Sequence, residues 1–426
     1  MTTTALPETP SLHIVNLTIT GRCNLDCPCC YQKRRKDDMT TLQVVKIIDE
    51  IADLGTEILM MPGGEPLLRQ DLDIILRRAA DRGLKTYLAS NATLITDERA
   101  RELKECGLTG CCVGVEVFDP RSLAEVDRRG LAKTIEGLQS YARAGLDVFA
   151  NLIVTRDNLR HLPATVKLLV SLGIRKVTIL RPKPVQSGSW FEQARLGPRE
   201  MYRLQIMKIQ LEAAYDLEFV NLDCAFGALQ GGLPMEFLEE EEIPPCLAGT
   251  RYLSIDSNGD VYPCAYLKHP EFRAGNVTEA ALPAVFNESP VFDTFREPKL
   301  EGHCGTCPMS KHCGGCRALA YHDHGRVLAQ DDDCHWGTAS KRRVIWQGTV
   351  FWATMIWRLL RTVTRTRSKG SARYARRVLQ SSRAPKKASG RGAGPAPTAT
   401  PETGRRACGG PSLADAERSR RDPSAA

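Results

Sequence analysis

Between residues 12 and 181, short β-branched runs alternate with amphipathic stretches, and this alternation constrains the fold more than any other feature of the chain. Strand-like runs fall at 12–20, 57–61, 84–89, 112–118, 148–155 and 176–180. Between them, 42–54, 72–82 and 131–144 carry apolar residues at helical spacing. Gly55, Gly83, Gly145 and Gly173 stand where helices should stop, because a helix C-terminus often needs left-handed backbone. Six strand–helix units in this order predict an α/β fold with a parallel sheet, as a barrel or an open sheet. In either arrangement ligands gather at the C-terminal ends of the strands.

Directly after the first strand-like run comes a cysteine loop, with Cys23, Cys27 and Cys30 spaced C-x3-C-x2-C. Three thiolates on one tight loop can hold three irons of a [4Fe–4S] cluster and leave the fourth open to a substrate. On spacing alone a zinc loop stays open as an alternative. The chain has 16 cysteines, and its first residues lack the basic segment and apolar run of a secretory signal. Clustered cysteines without secretion read as metal ligands in a reducing cytoplasm, not as a disulfide framework.

Three further features accompany the loop. Pro62-Gly63-Gly64-Glu65-Pro66-Leu67 follows the second strand-like run, and Ser90-Asn91-Ala92-Thr93 follows the third. With the cysteine loop and the six-unit order, they resemble the radical S-adenosylmethionine (SAM) superfamily. The resemblance implies a partial (β/α)6 TIM-type barrel, with SAM chelated at the open iron of the Cys23/Cys27/Cys30 cluster. It also implies a SAM site formed by Gly63, Gly64, Glu65, Pro66, Ser90 and Asn91, with Glu65 reaching the SAM amino group. Two departures stand out. The position before the third cysteine, usually aromatic in the family, is Cys29, and Tyr31 follows the cysteine instead. Glu116 lies near where relatives carry Ser-x-Asp; a SAM or substrate contact and a structural ion pair are both open for it.

The second half carries Cys246, Cys264, Cys304-x2-Cys307-x5-Cys313-x2-Cys316 and Cys334. This order resembles the SPASM extension of radical SAM enzymes, in the branch tied to haem, haem d1, mycofactocin and PQQ, although Cys313-Gly-Gly-Cys316 is one residue short of the usual ending. The resemblance implies two auxiliary [4Fe–4S] clusters. One would use Cys304, Cys307, Cys313 and Cys334; the other would use Cys246, Cys264 and Cys316, with Cys224 as a candidate fourth ligand. Cys106, Cys111 and Cys112 read as buried small side chains, and Asp331-Asp332-Asp333 reads as a solvated loop.

The expected organisation is a radical SAM core over 12–225, an auxiliary-cluster domain over 226–340, and a short apolar helix with a disordered basic tail over 341–426. That tail holds 20 Lys/Arg against 4 Asp/Glu, leaving a mildly acidic body that gives no support to nucleic-acid binding. Segment 344–363 opens with an uncharged, Trp-rich stretch flanked by cations, and suits either peripheral contact with a membrane or packing against the body. The function implied by the resemblance is an oxidoreductase fed by an external one-electron donor of flavodoxin or ferredoxin type. Its expected substrate is a small molecule in cofactor or antibiotic biosynthesis, oxidised by dehydrogenation or oxidative decarboxylation. A maturase acting on a ribosomally made precursor peptide is the rival. A non-catalytic iron–sulfur electron carrier is the third reading, and it has no use for the SAM-site motifs.

Overall fold

In the computed structural model, the described residues are 12–32, 37–118, 130–184, 188–215, 217–220, 246–307, 310 and 313–334. Cys224 and the whole of 341–426, including segment 344–363, lie outside them.

The predicted alternation folds as a parallel sheet flanked by helices. Its strands are β1 (Ile14–Leu17), β2 (Ile58–Met61), β3 (Lys85–Ser90), β4 (Gly110–Val115), β5 (Asp147–Ile153) and β6 (Lys176–Leu180). The helices between them are α1 (Thr41–Asp53), α2 (Leu72–Asp81), α3 (Asp97–Glu105), α4 (Leu131–Arg143) and α5 (Leu162–Ser171). Thr40 caps α1 in a reciprocal capping box with Gln43, which fixes where the chain turns into that helix. Gly55, Gly83, Gly145 and Gly173 all have φ between 73° and 84°, the left-handed conformation that ends a helix.

Four more strands complete the sheet: β7 (Glu218–Val220), β8 (Tyr252–Ile255), β9 (Asp260–Tyr262) and β10 (Gly275–Asn276). The order is β10-β9-β8-β1-β2-β3-β4-β5-β6-β7. β8 pairs in parallel with β1, and β9 and β10 follow it antiparallel. Residues from the cysteine-rich second half therefore extend the same sheet on its β1 edge.

Register separates the two faces. Val15, Leu59, Leu88, Cys111, Val113, Ala150, Leu152, Val177 and Ile179 are buried on one face. There Ile47, Ile48, Leu76, Leu138 and Leu169 of the helices join the same core, each large aliphatic side chain contributing about 1.5–3 kcal/mol by leaving water. The other face carries Asn16, Met60, Tyr87, Cys112, Gly114, Asn151 and Thr178. Its mixed polarity suits a surface that meets ligands. Cys106, Cys111 and Cys112 are buried, as their positions beside a strand predicted.

Beyond β6 come α6 (Gly188–Ala194) and α7 (Pro198–Ala214), and beyond β10 come α8 (Leu282–Glu288), α9 (Asp293–Arg296), α10 (Gly302–Thr306) and α11 (Arg317–His324). Phe191, Phe295, Leu319 and Cys316 form a second, smaller apolar cluster, with Cys246 and Cys264 packed against it.

Candidate functional site

The cysteine loop leaves the C-terminal end of β1 and is held there largely by main-chain contacts. The Gly64 N–H donates to Thr20 O at 2.7 Å and the Glu65 N–H to Arg22 O at 2.7 Å. A Cβ on Gly64 would lie 2.0 Å from Arg22 O and 2.8 Å from the Cys23 Cβ, so only glycine lets the two loops touch. Asp38 takes hydrogen bonds from Thr20 Oγ1 at 2.6 Å and the Gly21 N–H at 2.7 Å. Buried Arg69 donates to Ile19 O, to Met39 O at 3.0 Å and to Asp71 at 2.7 Å. Sequence reasoning missed Asp38 and Arg69, since neither belongs to a motif.

Glu65 is fully buried. Its carboxylate accepts from the Leu67 N–H at 3.1 Å, Ser90 Oγ at 2.9 Å and the Asn91 N–H at 2.8 Å. Burial pushes the Glu65 carboxyl up, against the downward pull of those three donors. The carboxylate thus ties the 63–66 turn to the end of β3, with both oxygens engaged by the chain's own donors and not turned to the SAM amino group that the resemblance implied. Asn91 in turn donates through Nδ2 to Asn24 Oδ1 at 2.9 Å, with the same Nδ2 4.0 Å from Cys23 Sγ, while Asn24 donates to Thr93 Oγ1 at 2.9 Å. The structure accordingly brings Gly63, Gly64, Glu65, Pro66, Ser90 and Asn91 to the cysteine loop.

The loop's chemistry fits an iron–sulfur centre. Cys27 is exposed, yet partial desolvation by the surrounding loop raises its thiol, and the neighbouring Cys30, Cys23 and Glu116 raise it further. Three thiols spaced C-x3-C-x2-C on one loop are a donor set of the kind that holds an iron–sulfur cluster, although among the described residues no three of them stand grouped as metal ligands. Burial also pushes the Cys29 thiol up to about 11. Glu116 is exposed just past β4, close enough to the loop for its charge to act on Cys27 and Cys29.

Tyr31 packs against the second half of the chain. Its ring meets Tyr266 edge-on at 5.1 Å, so the loop docks on the segment that follows Cys264. Gln32 donates to Thr18 Oγ1 at 2.9 Å and accepts from Lys268 Nζ at 2.8 Å.

In the second cysteine set, Cys304 and Cys316 are buried and gather around Asp331. The Asp331 N–H lies 3.4 Å from Cys304 Sγ, Asp331 Oδ2 accepts from the Cys316 N–H at 2.8 Å, and the Cys334 N–H donates to Asp331 O at 3.1 Å. Asp331 also pairs with Arg181 at 3.0 Å, both side chains being essentially inaccessible to solvent. Asp333 meets Arg195 at 2.7 Å. The expected solvated loop at 331–333 is therefore corrected: Asp331 and Asp333 are buried because Arg181 and Arg195, from the segment after β6, reach in to neutralise them. Cys246, Cys264 and Cys316 share the smaller apolar cluster, while Cys307 and Cys313 are half-buried.

Comparison with known proteins follows the same division. Residues 17–169 match the model of the radical SAM superfamily, and residues 246–308 match that of SPASM, an iron–sulfur cluster-binding domain. The chain is 28% identical over 348 residues to AdoMet-dependent heme synthase of Methanosarcina barkeri (strain Fusaro / DSM 804), spanning 77% of this chain and 98% of that protein. It is 28% identical over 330 residues to PqqA peptide cyclase of Methylocella silvestris (strain DSM 15510 / CIP 108128 / LMG 27833 / NCIMB 13906 / BL2), spanning 74% and 86%. In fold it is similar to Streptococcus suis SuiB bound to S-adenosylmethionine, with TM-score 0.62, 19% identity, and 76% and 77% of the two chains covered.

Proposed function

We propose, for a chain that belongs to the radical SAM superfamily and carries a SPASM iron–sulfur domain, that it oxidises a small molecule in the biosynthesis of a cofactor or antibiotic, by dehydrogenation or oxidative decarboxylation. The observation that carries the radical chemistry is the contact of the Cys23–Cys30 loop with the Gly63–Pro66 turn and Asn91 at the strand ends. Cys23, Cys27 and Cys30 would hold the SAM-binding [4Fe–4S] cluster. A cluster held there would supply one electron for cleaving SAM to methionine and a 5′-deoxyadenosyl radical, and that radical would take a hydrogen atom from an unactivated carbon to leave as 5′-deoxyadenosine.

The chain's own residues bind and orient. Gly63 and Gly64 let the backbone approach SAM, with Pro66 fixing the turn. Glu65 holds Ser90 and Asn91 in place through its carboxylate, and Asn91 steadies the loop beside Cys23. Glu116, exposed just past β4 and near the cysteine loop, would offer a carboxylate to a cationic group of SAM or substrate. Cys304, Cys307, Cys313 and Cys334 would hold one auxiliary cluster. Cys246, Cys264 and Cys316 would hold the other, with Cys224 as a candidate fourth ligand or the fourth position left open to substrate. Clusters held by these cysteines would supply an acceptor for the second electron of an oxidation. An external donor of flavodoxin or ferredoxin type, in a reducing cytoplasm, would start each turnover. Among the described residues no helix is long and apolar enough to cross a membrane.

The small-molecule reading is supported by the match to heme synthase along 98% of that relative. The match to a peptide cyclase favours a second reading, modification of a precursor peptide. Two measurements on anaerobically reconstituted protein test these proposals. Wild type should hold about 12 Fe per chain if three cubanes are present. Replacing Cys23, Cys27 and Cys30 together by Ala should remove about 4 Fe and all deoxyadenosine formation. Stoichiometric zinc in place of auxiliary iron would overturn the ligand assignment. For the substrate, deoxyadenosine formation should rise with a low-mass cell fraction that survives protease treatment; a protease-sensitive stimulant would turn the reading to the peptide.

A further inference from the structure

Four buried polar side chains connect the two cysteine sets. Gln32, two residues after Cys30, donates to Thr18 of the β1 end at 2.9 Å and accepts from Lys268 Nζ at 2.8 Å. Lys268, four residues after Cys264, also donates to Asp256 Oδ1 at 2.5 Å, just past β8. Lys268 is 8% exposed, Gln32 7%, Asp256 3% and Thr18 1%, so water competes for none of these contacts. The second carboxylate oxygen of Asp256 is buried and has no hydrogen-bond partner among the described residues. A buried carboxylate left half-satisfied is costly, and its attraction to Lys268 is what holds the ammonium in place. Alongside, Tyr31 and Tyr266 meet edge-on at 5.1 Å, and Lys268 Nζ lies 5.4 Å from the Tyr31 ring centre. Residues more than 230 positions apart in sequence are thus fastened by one ammonium.

We infer that Lys268 is a positioning residue for the reaction: it clamps the trailing end of the Cys23–Cys30 loop to the segment behind Cys264, so that SAM binding at the first cysteine set depends on the second region being in place. The inference rests on the reading of the two cysteine sets as cluster ligands. The clamp holds Gln32, and Gln32 fixes the loop against β1. Without it, the loop keeps its three thiols but loses its preset position, and SAM must order the loop as it binds.

The test uses the full chain with its clusters reconstituted, in four variants: Gln32→Leu, Lys268→Met, Gln32→Leu/Lys268→Met and Lys268→Met/Asp256→Leu. Iron content, SAM affinity, and the change that SAM causes in the electron paramagnetic resonance spectrum of the reduced protein are measured on each. Gln32→Leu and Lys268→Met should each keep wild-type iron, bind SAM roughly ten-fold more weakly and blunt the spectral change, as loss of a charged hydrogen bond implies. The double Gln32→Leu/Lys268→Met should be no weaker than the weaker single, because both break the same link. Lys268→Met/Asp256→Leu removes the stranded carboxylate; it should recover thermal stability but leave SAM binding weak. Recovery of wild-type SAM affinity in that variant would reduce Lys268 to a charge balance and overturn the clamp. So would unchanged SAM affinity and spectra in Gln32→Leu, which strands no charge. Failure of the cluster reading has a different signature: the Cys23, Cys27 and Cys30 triple variant would still cleave SAM.

Discussion

The two cysteine regions are built from different materials. Around Cys23–Cys30 the structure relies mainly on glycine, main-chain hydrogen bonds and carboxylates that cap N–H groups, with buried Arg69 and Lys268 behind the loop, and it leaves Cys27 and Cys30 exposed. Around Cys304–Cys334 it relies on buried charge: Arg181 with Asp331, Arg195 with Asp333 and Asp323, and Arg317 on the carbonyls of Val327 and Ala329. Cys304 and Cys316 are buried within that network. A centre that must admit a ligand needs an approachable metal and a backbone that can come close to it. A centre that only stores electrons is better sealed, and charge pairs lock geometry once water is excluded. The difference in materials therefore tracks the difference in proposed roles.

The largest effect should come from breaking the charge network. Asp331→Ala leaves the Arg181 guanidinium buried and removes the acceptor of the Cys316 N–H. Removing one partner of such a pair costs about 3–5 kcal/mol, read as a shift in the denaturation midpoint. Auxiliary iron should fall while the iron held by the first loop stays; loss of both together would break the comparison. Acid adds a second check. Burial pushes the Asp331 carboxyl up, but Arg181 and the Cys316 N–H outweigh it and hold it below the usual carboxylate range. A depressed folded pKa gives stability that is present above the unfolded value, near 4, and is lost as pH falls through the folded value. Burial raises Asp333 despite Arg181 and Arg195, so its contribution has the opposite sign. Wild type should therefore lose stability below about pH 4 more steeply than Asp331→Ala, in denaturation series at fixed pH.

A smaller effect is expected at Glu65. Its two oxygens accept from three donors, and Glu65→Gln would turn an amide NH2 towards either the Asn91 or the Leu67 N–H. Losing one charged hydrogen bond should lower stability by about 1.5–3 kcal/mol. SAM affinity should fall as Asn91 shifts, with iron content unchanged, because Glu65 ligates no metal. A variant with wild-type stability would show that the carboxylate does not hold the 63–66 turn to β3.

How much of this was legible in the sequence depends on the length scale of each feature. Strands β1 to β6 and the glycines after α1, α2, α4 and α5 follow from local periodicity, and the structure places them within a few residues of expectation. β7 to β10 span only two to four residues each, too short to show a period. The SAM-site motifs were visible because their residues lie in three contiguous segments. Asp331 and Asp333 were misread because a run of three aspartates looks solvated, and the cations that neutralise them, Arg181 and Arg195, lie far off in sequence. Lys268 and Gln32 left no local trace, since nothing in a sequence marks two polar residues 236 positions apart as partners.

The smallest effect sharpens the comparison at a strained point of the first region. Ala92, in the Ser90–Thr93 turn, has φ 57°, a left-handed conformation that costs a non-glycine residue roughly 1–2 kcal/mol. The position is 1% exposed, so its methyl group is worth about 0.8 kcal/mol in buried area. Glycine would relieve the strain, lose that burial, and free the unfolded chain by a further 0.4–1 kcal/mol or so. These contributions nearly cancel, and Ala92→Gly should lie within about 1 kcal/mol of wild type in chemical denaturation, with SAM affinity unchanged. Ala92→Val tests the same geometry from the other side. A β-branched residue tolerates positive φ poorly, and the Ala92 carbonyl has no room to move, because a Cβ built on Gly137 would already lie 1.9 Å from its oxygen. Valine should therefore destabilise the turn, carry Asn91 away from Cys23 and weaken SAM binding. If valine is tolerated as well as glycine, the turn is softer than its hydrogen bonds imply, and the first region owes its geometry to the cluster rather than to the chain.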